Sequence, residues 1–438
     1  MEHIIDTMRD EMQDVLLNNI LPFWIDKMQD EEHGGFYGRI DGHGELHPEA
    51  EKGAILNARI LWTFSAAYRV LKNISANGKT NENLECYLAM ATRAKDYIID
   101  HFIDTEYGGV YWSVDYQGNP LDTKKQFYAI GFVIYGMSEY ARATGDMEAL
   151  ECALQLFDCI EKHAFDTEYN GYIEAMTRDW QPIADMRLSD LDENYPKSQN
   201  THLHIIEPYT NLYRCLKEMR ETESCNYVPV LGSVLPIGVT VPNEVVADVE
   251  KALRNLIDIF TDKILNPETH HLDLFFEMDW TRGAGALESY GHDIECSWLM
   301  HEAALVLDDH DVIARVEPIV RMVAKASEKG INPDGSMVHE ANLDTGYVDS
   351  DLHWWVQAEN VVGWVNLYQY FDDEKALNRA WNCWEYIKKN LIDYDNGEWY
   401  WSRRKDGTLN TDDDKAGFWK CPYHNSRMCL EVIERFED

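Results

Sequence analysis

Six positions carry side chains that apolar helices rarely hold: Arg59, Tyr128, His204, His292, Trp355 and His424. They recur at spacings of 69, 76, 88, 63 and 69 residues, so they fall at corresponding places in a repeated unit. Carboxylates accompany three of them, Glu207 after His204, Glu295 after His292 and Glu359 after Trp355. In the two His-x-x-Glu pairs the carboxylate lies one turn from its imidazole on the same helix face. There it is expected to fix the tautomer of the histidine and raise its basicity. Histidine titrates near neutrality and can both take and give a proton. A lone histidine is usually a hydrogen-bonded core residue, whereas accidental convergence of six corresponding positions on one mouth is much less likely. The same residue types suit a pair of metals, but the di-metal motif of helical bundles runs Glu-x-x-His, the reverse order. With no phosphate loop, dinucleotide fingerprint or metal cluster in the sequence, the expectation is a site that uses neither metal nor cofactor.

Positioning such residues together is the task of the elements between them. Six short segments rich in glycine and aromatic residues recur, at 33–41, 107–115, 169–177, 270–278, 333–341 and 395–403, and each reads as a tight hairpin. Alignment on Gly35, Gly109, Gly171, His271, Gly335 and Gly397 gives spacings of 74, 62, 100, 64 and 62. The long interval holds residues 222–243, whose prolines and glycines break any helical period and read as an inserted loop. Two helices fit each interval. One has a charged face (4–20, 86–103, 146–163, 246–264, 310–327, 374–390) and the other is more apolar all round (54–71, 126–143, 201–218, 291–307, 354–370, 421–435). A helix apolar on every side must be buried, so the pattern predicts an inner ring of six helices inside an outer ring of six. The expected fold is all-α, an (α/α)6 toroid with short β-hairpins, in which the unusual residues line one mouth. Length alone suggests two or three domains of roughly 150 residues; the repeat replaces them with one catalytic domain over 1–438. An open solenoid would want more uniform repeats and polar caps.

Composition narrows the partners. Lys and Arg total 39 against 78 Asp and Glu, a formal charge of −39 that repels phosphate backbones and anionic lipid. Neither nucleic acid nor a membrane is an expected partner, and no apolar run approaches the roughly 20 residues of a spanning helix. The start, Met1-Glu2-His3-Ile4-Ile5-Asp6, has no basic or apolar leader, and the nine scattered cysteines form no C-x-x-C pair. The expectation is a cytoplasmic protein with reduced thiols, a monomer or weak homodimer. Most of the 14 tryptophans should be packing, but Trp355 and Trp419 fall at the mouth. There a flat apolar face with a polar edge suits the C–H surface of a neutral sugar ring.

Five ordered motifs, AILNAR (54–59), NTHLHIIE (200–207), SYGHDIE (289–295), WWVQAE (354–359) and WKCPYHN (419–425), closely resemble those of the cellobiose-epimerising branch of the N-acylglucosamine 2-epimerase superfamily. The resemblance spans nearly the whole chain and departs from the pattern at 222–243. It implies cofactor-free epimerisation at C2 of the reducing-end sugar of a β-1,4-linked disaccharide, cellobiose or lactose, through ring opening and a cis-enediolate. His292 and His424 match the family's acid/base pair, while Arg59 and His204 match donors to the developing oxyanion. Tyr128 and Asn200 are further hydrogen-bonding positions, and Glu295 and Glu359 are expected to orient the histidines. Alternatives within the superfamily are a monosaccharide aldose–ketose isomerase and an N-acylglucosamine 2-epimerase. Outside it stand an (α/α)6 glycoside hydrolase working with two carboxylates and a non-catalytic sugar-binding scaffold.

Overall fold

The computed structural model describes residues 2–76, 83–190, 192–221 and 241–437. The chain opens with α1 (Glu2–Val15), a π-helical turn and α2 (Leu21–Lys27). Five inner–outer pairs follow: α3 (Ala54–Ala76) and α4 (Leu84–Tyr97), α5 (Phe127–Thr144) and α6 (Met147–His163), α7 (Gln199–Glu221) and α8 (Asn243–Ile259), α9 (Tyr290–Leu307) and α10 (His310–Ser327), and α11 (Trp354–Phe371) and α12 (Glu374–Asn390). The last helix is α13 (Tyr423–Arg435).

Within three of these pairs the turn is spelled in two residues. Gly145, Asp308 and Asp372 end the inner helices α5, α9 and α11 in the left-handed conformation. The next residue, Asp146, Asp309 or Asp373, turns its carboxylate onto the first amides of the outer helix and caps it. A turn this short forces the two helices to run antiparallel and pack on each other. The inner helices α3, α5, α7, α9, α11 and α13 pack in succession, and α13 packs back on α3, so the ring closes. Each of α4, α6, α8, α10 and α12 covers the inner helix before it, while α1 covers α13. The sixth unit therefore joins helices from opposite ends of the chain, and Arg9 of α1 donates to the carbonyl of Phe436 at 3.1 Å. This is the expected (α/α)6 toroid. Most of the predicted insertion, 222–240, lies outside the described residues.

The six hairpin segments form as tight loops, each marked by one antiparallel bridge such as Ile103 to Val110 or Phe165 to Tyr172. At Gly171, φ is +88° and a Cβ would meet Trp280 Cζ2 at 2.4 Å, so only glycine fits. Short strands ahead of the inner helices stitch neighbouring units together: Lys52–Gly53 pairs with Ser113–Val114, Lys125–Gln126 with Ala175–Met176, and Lys197–Ser198 with Phe275–Phe276. The bridge between Ile40 and Ala416 continues the stitching across the seam. Each of these three strand pairs is reinforced by a buried ion pair that the sequence reading did not anticipate. The lysine of the strand reaches the aspartate that builds the hairpin turn, Lys52 to Asp30 at 2.7 Å, Lys125 to Asp104 at 2.9 Å and Lys197 to Asp166 at 2.7 Å. Glu288 and Asn266 replace lysine and aspartate in the fourth unit, where the ion pair is absent.

Candidate active site

The first turns of the inner helices surround a cavity of about 680 Å³. Arg59, Tyr128, Asn200, His204, His292, Glu295, Trp355, Trp419 and His424 all line it; Glu359 is fully buried behind His424. The opposite ends of the same helices carry a network of ion pairs, including Arg69 to Glu139 at 2.6 Å and Arg142 to Glu139 at 2.8 Å. The unusual residues are thus gathered at one mouth, as their spacing requires.

Trp355 stands between two imidazoles, its ring 4.9 Å from His292 and 5.7 Å from His424. His424 Nδ1 bonds Glu359 Oε1 at 2.6 Å, and His292 Nδ1 bonds Ser289 Oγ at 2.8 Å. In each ring Nε2 is then the nitrogen left for a substrate. Burial, and then the proximity of the His339, His204 and His424 imidazoles, push His292 well below the ordinary imidazole value. Burial also pushes His424 well down, assisted by Arg59 and Arg427. Both imidazoles are neutral at neutral pH and ready to accept a proton. His204 Nδ1 bonds Glu207 Oε2 at 3.0 Å.

The expected partnership of Glu295 with His292 is not formed. Side chains on a helix lean toward its N-terminus, so His292, in the first turn of α9, reaches back to Ser289 rather than forward to Glu295. His204 keeps its carboxylate because α7 kinks there, with φ −90° and ψ +15°. Pro208 causes the kink, since its ring cannot sit against the carbonyl four residues earlier. Gly131 of α5 accommodates that carbonyl, where a Cβ would stand 2.4 Å from the His204 oxygen.

Glu295 belongs instead to a cluster centred on Arg427, which the sequence reading missed. The guanidinium meets Glu295 at 2.7 Å and Glu359 at 2.6 Å, and bonds Glu207 and Tyr423 as well. Carboxylates from α7, α9 and α11 thereby converge on one cation of α13. Burial drives the Glu295 carboxyl well above its usual range, with the charge of Glu359 adding to the effect. Burial also opposes ionisation of Glu207, but Arg427 and His204 hold it below the ordinary value. Glu295, Glu359 and His424 have metal-ligand spacing, yet Arg427 already occupies the cation's place among them. The signal for Arg427 lay in register: His204, His292 and His424 are followed three residues later by Glu, Glu and Arg.

Arg59 differs from Arg427 in having no carboxylate partner among the described residues. It donates to Tyr128 Oη at 2.9 Å, approaches Cys421 Sγ at 3.5 Å, and lies over the rings of Phe132 and Tyr423 at 4.2 and 4.8 Å. Its Nε has no hydrogen-bond partner. A desolvated guanidinium without a counter-ion at a cavity wall is an anion-stabilising group in waiting. On the far side Trp419 packs near Tyr128, with ring centroids 6.1 Å apart.

Residues 35–219 and 248–427 match the family model of N-acylglucosamine 2-epimerase (GlcNAc 2-epimerase). The chain belongs to this family. It is 55% identical to cellobiose 2-epimerase of Bacteroides fragilis over 428 residues, 98% of this chain and 99% of that one. Cellobiose 2-epimerase of Ruminococcus albus is 39% identical over 98% of this chain and 99% of its own length. The solved structure of cellobiose 2-epimerase from Bacillus thermoamylovorans superposes with a TM-score of 0.84 at 38% identity, covering 98% of this chain and all of that one. Among the described residues no helix is long and apolar enough to cross a membrane.

Proposed function

We propose that this chain epimerises the reducing-end glucose of β-1,4-linked disaccharides, cellobiose and lactose among them, to mannose at C2 without metal or other cofactor. The observation that carries the reading is the pair of neutral imidazoles, His292 and His424, flanking Trp355 beside the unpaired Arg59. The full-length similarity to cellobiose 2-epimerases supports the substrate class.

In this mechanism the sugar opens to its aldehyde with the reducing end between the imidazoles. One imidazole takes the proton from C2, and the electron pair of that bond moves to the carbonyl, leaving a cis-enediolate with its charge on O1. Arg59 donates to that oxygen in a site largely shielded from water, where a preorganised donor is most effective, and His204, its Nδ1–H held by the Glu207 carboxylate, donates through Nε2 when protonated. When His424 is the acceptor, Glu359 stabilises the imidazolium it becomes. The second imidazole, protonated from solvent, delivers that proton to the opposite face of C2 while the first passes its proton to solvent; the aldehyde is restored with inverted configuration, and ring closure completes an isomerisation with no net change in protons or electrons. Tyr128 and Asn200 hold hydroxyl groups, and Trp355 and Trp419 supply the two ring platforms. The same reading takes residues 1–438 as one catalytic domain, because the site is completed by a helix paired across both ends of the chain. It also excludes nucleic acid as a partner on the charge of −39.

Product analysis after incubation with cellobiose is the test. Glucosyl-mannose is expected; a fructose-ended disaccharide, free glucose or unchanged substrate would each overturn the proposal.

A further inference from the structure

At the rim of the cavity, apart from the imidazole pair, stand His339, Asp349 and His353. His339 leads into strand Glu340–Asn342 and Asp349 ends strand Tyr347–Asp349, the two arms of one antiparallel hairpin. His353 closes the short strand that starts α11. Asp349 Oδ2 lies 2.9 Å from His339 Nδ1 and 3.4 Å from His353 Nε2. The two imidazole rings are 4.8 Å apart, and the three donor atoms all fall within 4.8 Å of one another. The side chains are 19%, 23% and 17% exposed, held in place yet open to the cavity.

From this geometry we propose that the rim binds a first-row transition ion of the Zn²⁺ type through His339, Asp349 and His353, and that the bound ion obstructs the mouth of the cavity. Ligands at about 2.0–2.1 Å around a tetrahedral ion stand roughly 3.3 Å apart, close to the two contacts with Asp349, so small side-chain rotations suffice. Two imidazole nitrogens with one carboxylate favour zinc, cobalt or nickel over magnesium or calcium, which take oxygen ligands. Three protein ligands leave a coordination position for water or a sugar hydroxyl. Obstruction follows from position, since the His339 ring lies 5.4 Å from Trp355, the platform between the reacting imidazoles. None of the three residues has a part in the proton transfer derived above. Only the obstruction rests on the epimerase reading.

The test uses the full chain, dialysed against a chelator and titrated with ZnCl₂ by calorimetry. One ion per chain is expected, with micromolar affinity weakened roughly tenfold or more in Asp349→Asn and in His353→Gln. Turnover of cellobiose should fall as the site fills and recover with chelator, and both variants should need correspondingly more zinc for the same inhibition. Absence of stoichiometric binding, or binding as tight in both variants as in the parent, overturns the site. Equal inhibition of parent and variants overturns the obstruction, placing the ion on another group. If the chain shows no sugar turnover, calorimetry alone decides the site. Should one variant fail to fold by circular dichroism, the other and His339→Gln carry the same comparison.

Discussion

Replacing Glu359 by Gln removes a charge while keeping the volume of a side chain on which three donors converge. His424 Nδ1 and Arg427 Nη2 both meet Oε1 at 2.6 Å, and Trp298 Nε1 donates to Oε2 at 2.9 Å. An amide offers one acceptor oxygen and turns an N–H₂ toward the remaining donors, leaving at least one buried donor unpaired at a cost of about 1–3 kcal/mol. That cost falls on the resting enzyme and on stability. The transition state bears a further loss, because an imidazolium forming at His424 no longer faces a carboxylate. At about 4 Å and an effective dielectric constant near 20 the lost attraction is about 4 kcal/mol, and solvent reorganisation trims it. We expect kcat to fall roughly 10²–10³-fold, about 3–4 kcal/mol, with KM changing much less. Removing the carboxylate also disfavours protonated His424 in the free enzyme, so the acid limb of kcat/KM moves to lower pH. Steady-state kinetics on cellobiose across pH, with circular dichroism to establish folding, reads both effects. A folded Glu359→Gln enzyme with kcat within a few-fold of the parent would refute the idea that His424 becomes charged in the rate-determining step.

His292→Ala and His424→Ala should each lower turnover by roughly 10²–10⁴-fold with the fold retained, and the parent enzyme in deuterated water should place label at C2 of the product; unlabelled product formed at full rate would refute proton transfer through these groups. Both imidazoles are displaced below the ordinary value of 6.5, so the neutral, proton-accepting form persists on acidification and kcat/KM should stay level through that pH, whereas an acid limb at or above it contradicts the assignment. Trp355→Ala or Trp419→Ala should erode the preference for cellobiose over glucose by about 1–3 kcal/mol, roughly 5- to 150-fold in the ratio of kcat/KM values; a parent that handles glucose as well as cellobiose removes the basis for two ring platforms. Lys52→Met strands the buried Asp30 carboxylate and should lower unfolding free energy by about 3–5 kcal/mol, read from urea denaturation, and the double change with Asp30→Asn should recover much of the loss; no recovery would show that the ion pair is not what holds the hairpin.

The architecture was legible because the repeat is long, ordered and periodic in two ways: hairpin glycines mark the turns, and the alternation of all-round and one-sided apolar helices marks inside from outside. The mouth residues were legible because unlike side chains recur in one register. What escaped was pairing. Glu295 follows His292 in the same spacing as Glu207 follows His204, yet only the kink imposed by Pro208 aligns the latter pair. Arg427 escaped because an arginine within a helix ordinarily reads as solvated, and only closure of the ring brings Glu207, Glu295 and Glu359 to it. The lysine–aspartate stitches escaped for a related reason, since Lys125 and Asp104 are 21 residues apart with no local pattern to join them.

The sixth helical unit, assembled from α13 and α1, sets a temporal order on the appearance of activity during synthesis. α1 is synthesised with an apolar face and no mate, and must wait while the five intervening units are made. His424 and the cation that gathers three acidic side chains arrive with α13, so a nascent chain holding every earlier residue has a mouth lined with uncompensated carboxylates and lacks the second of the two imidazoles beside Trp355. On the proposed mechanism a chain that stops short of α13 is therefore silent, and the site is complete only when α1 and α13 meet.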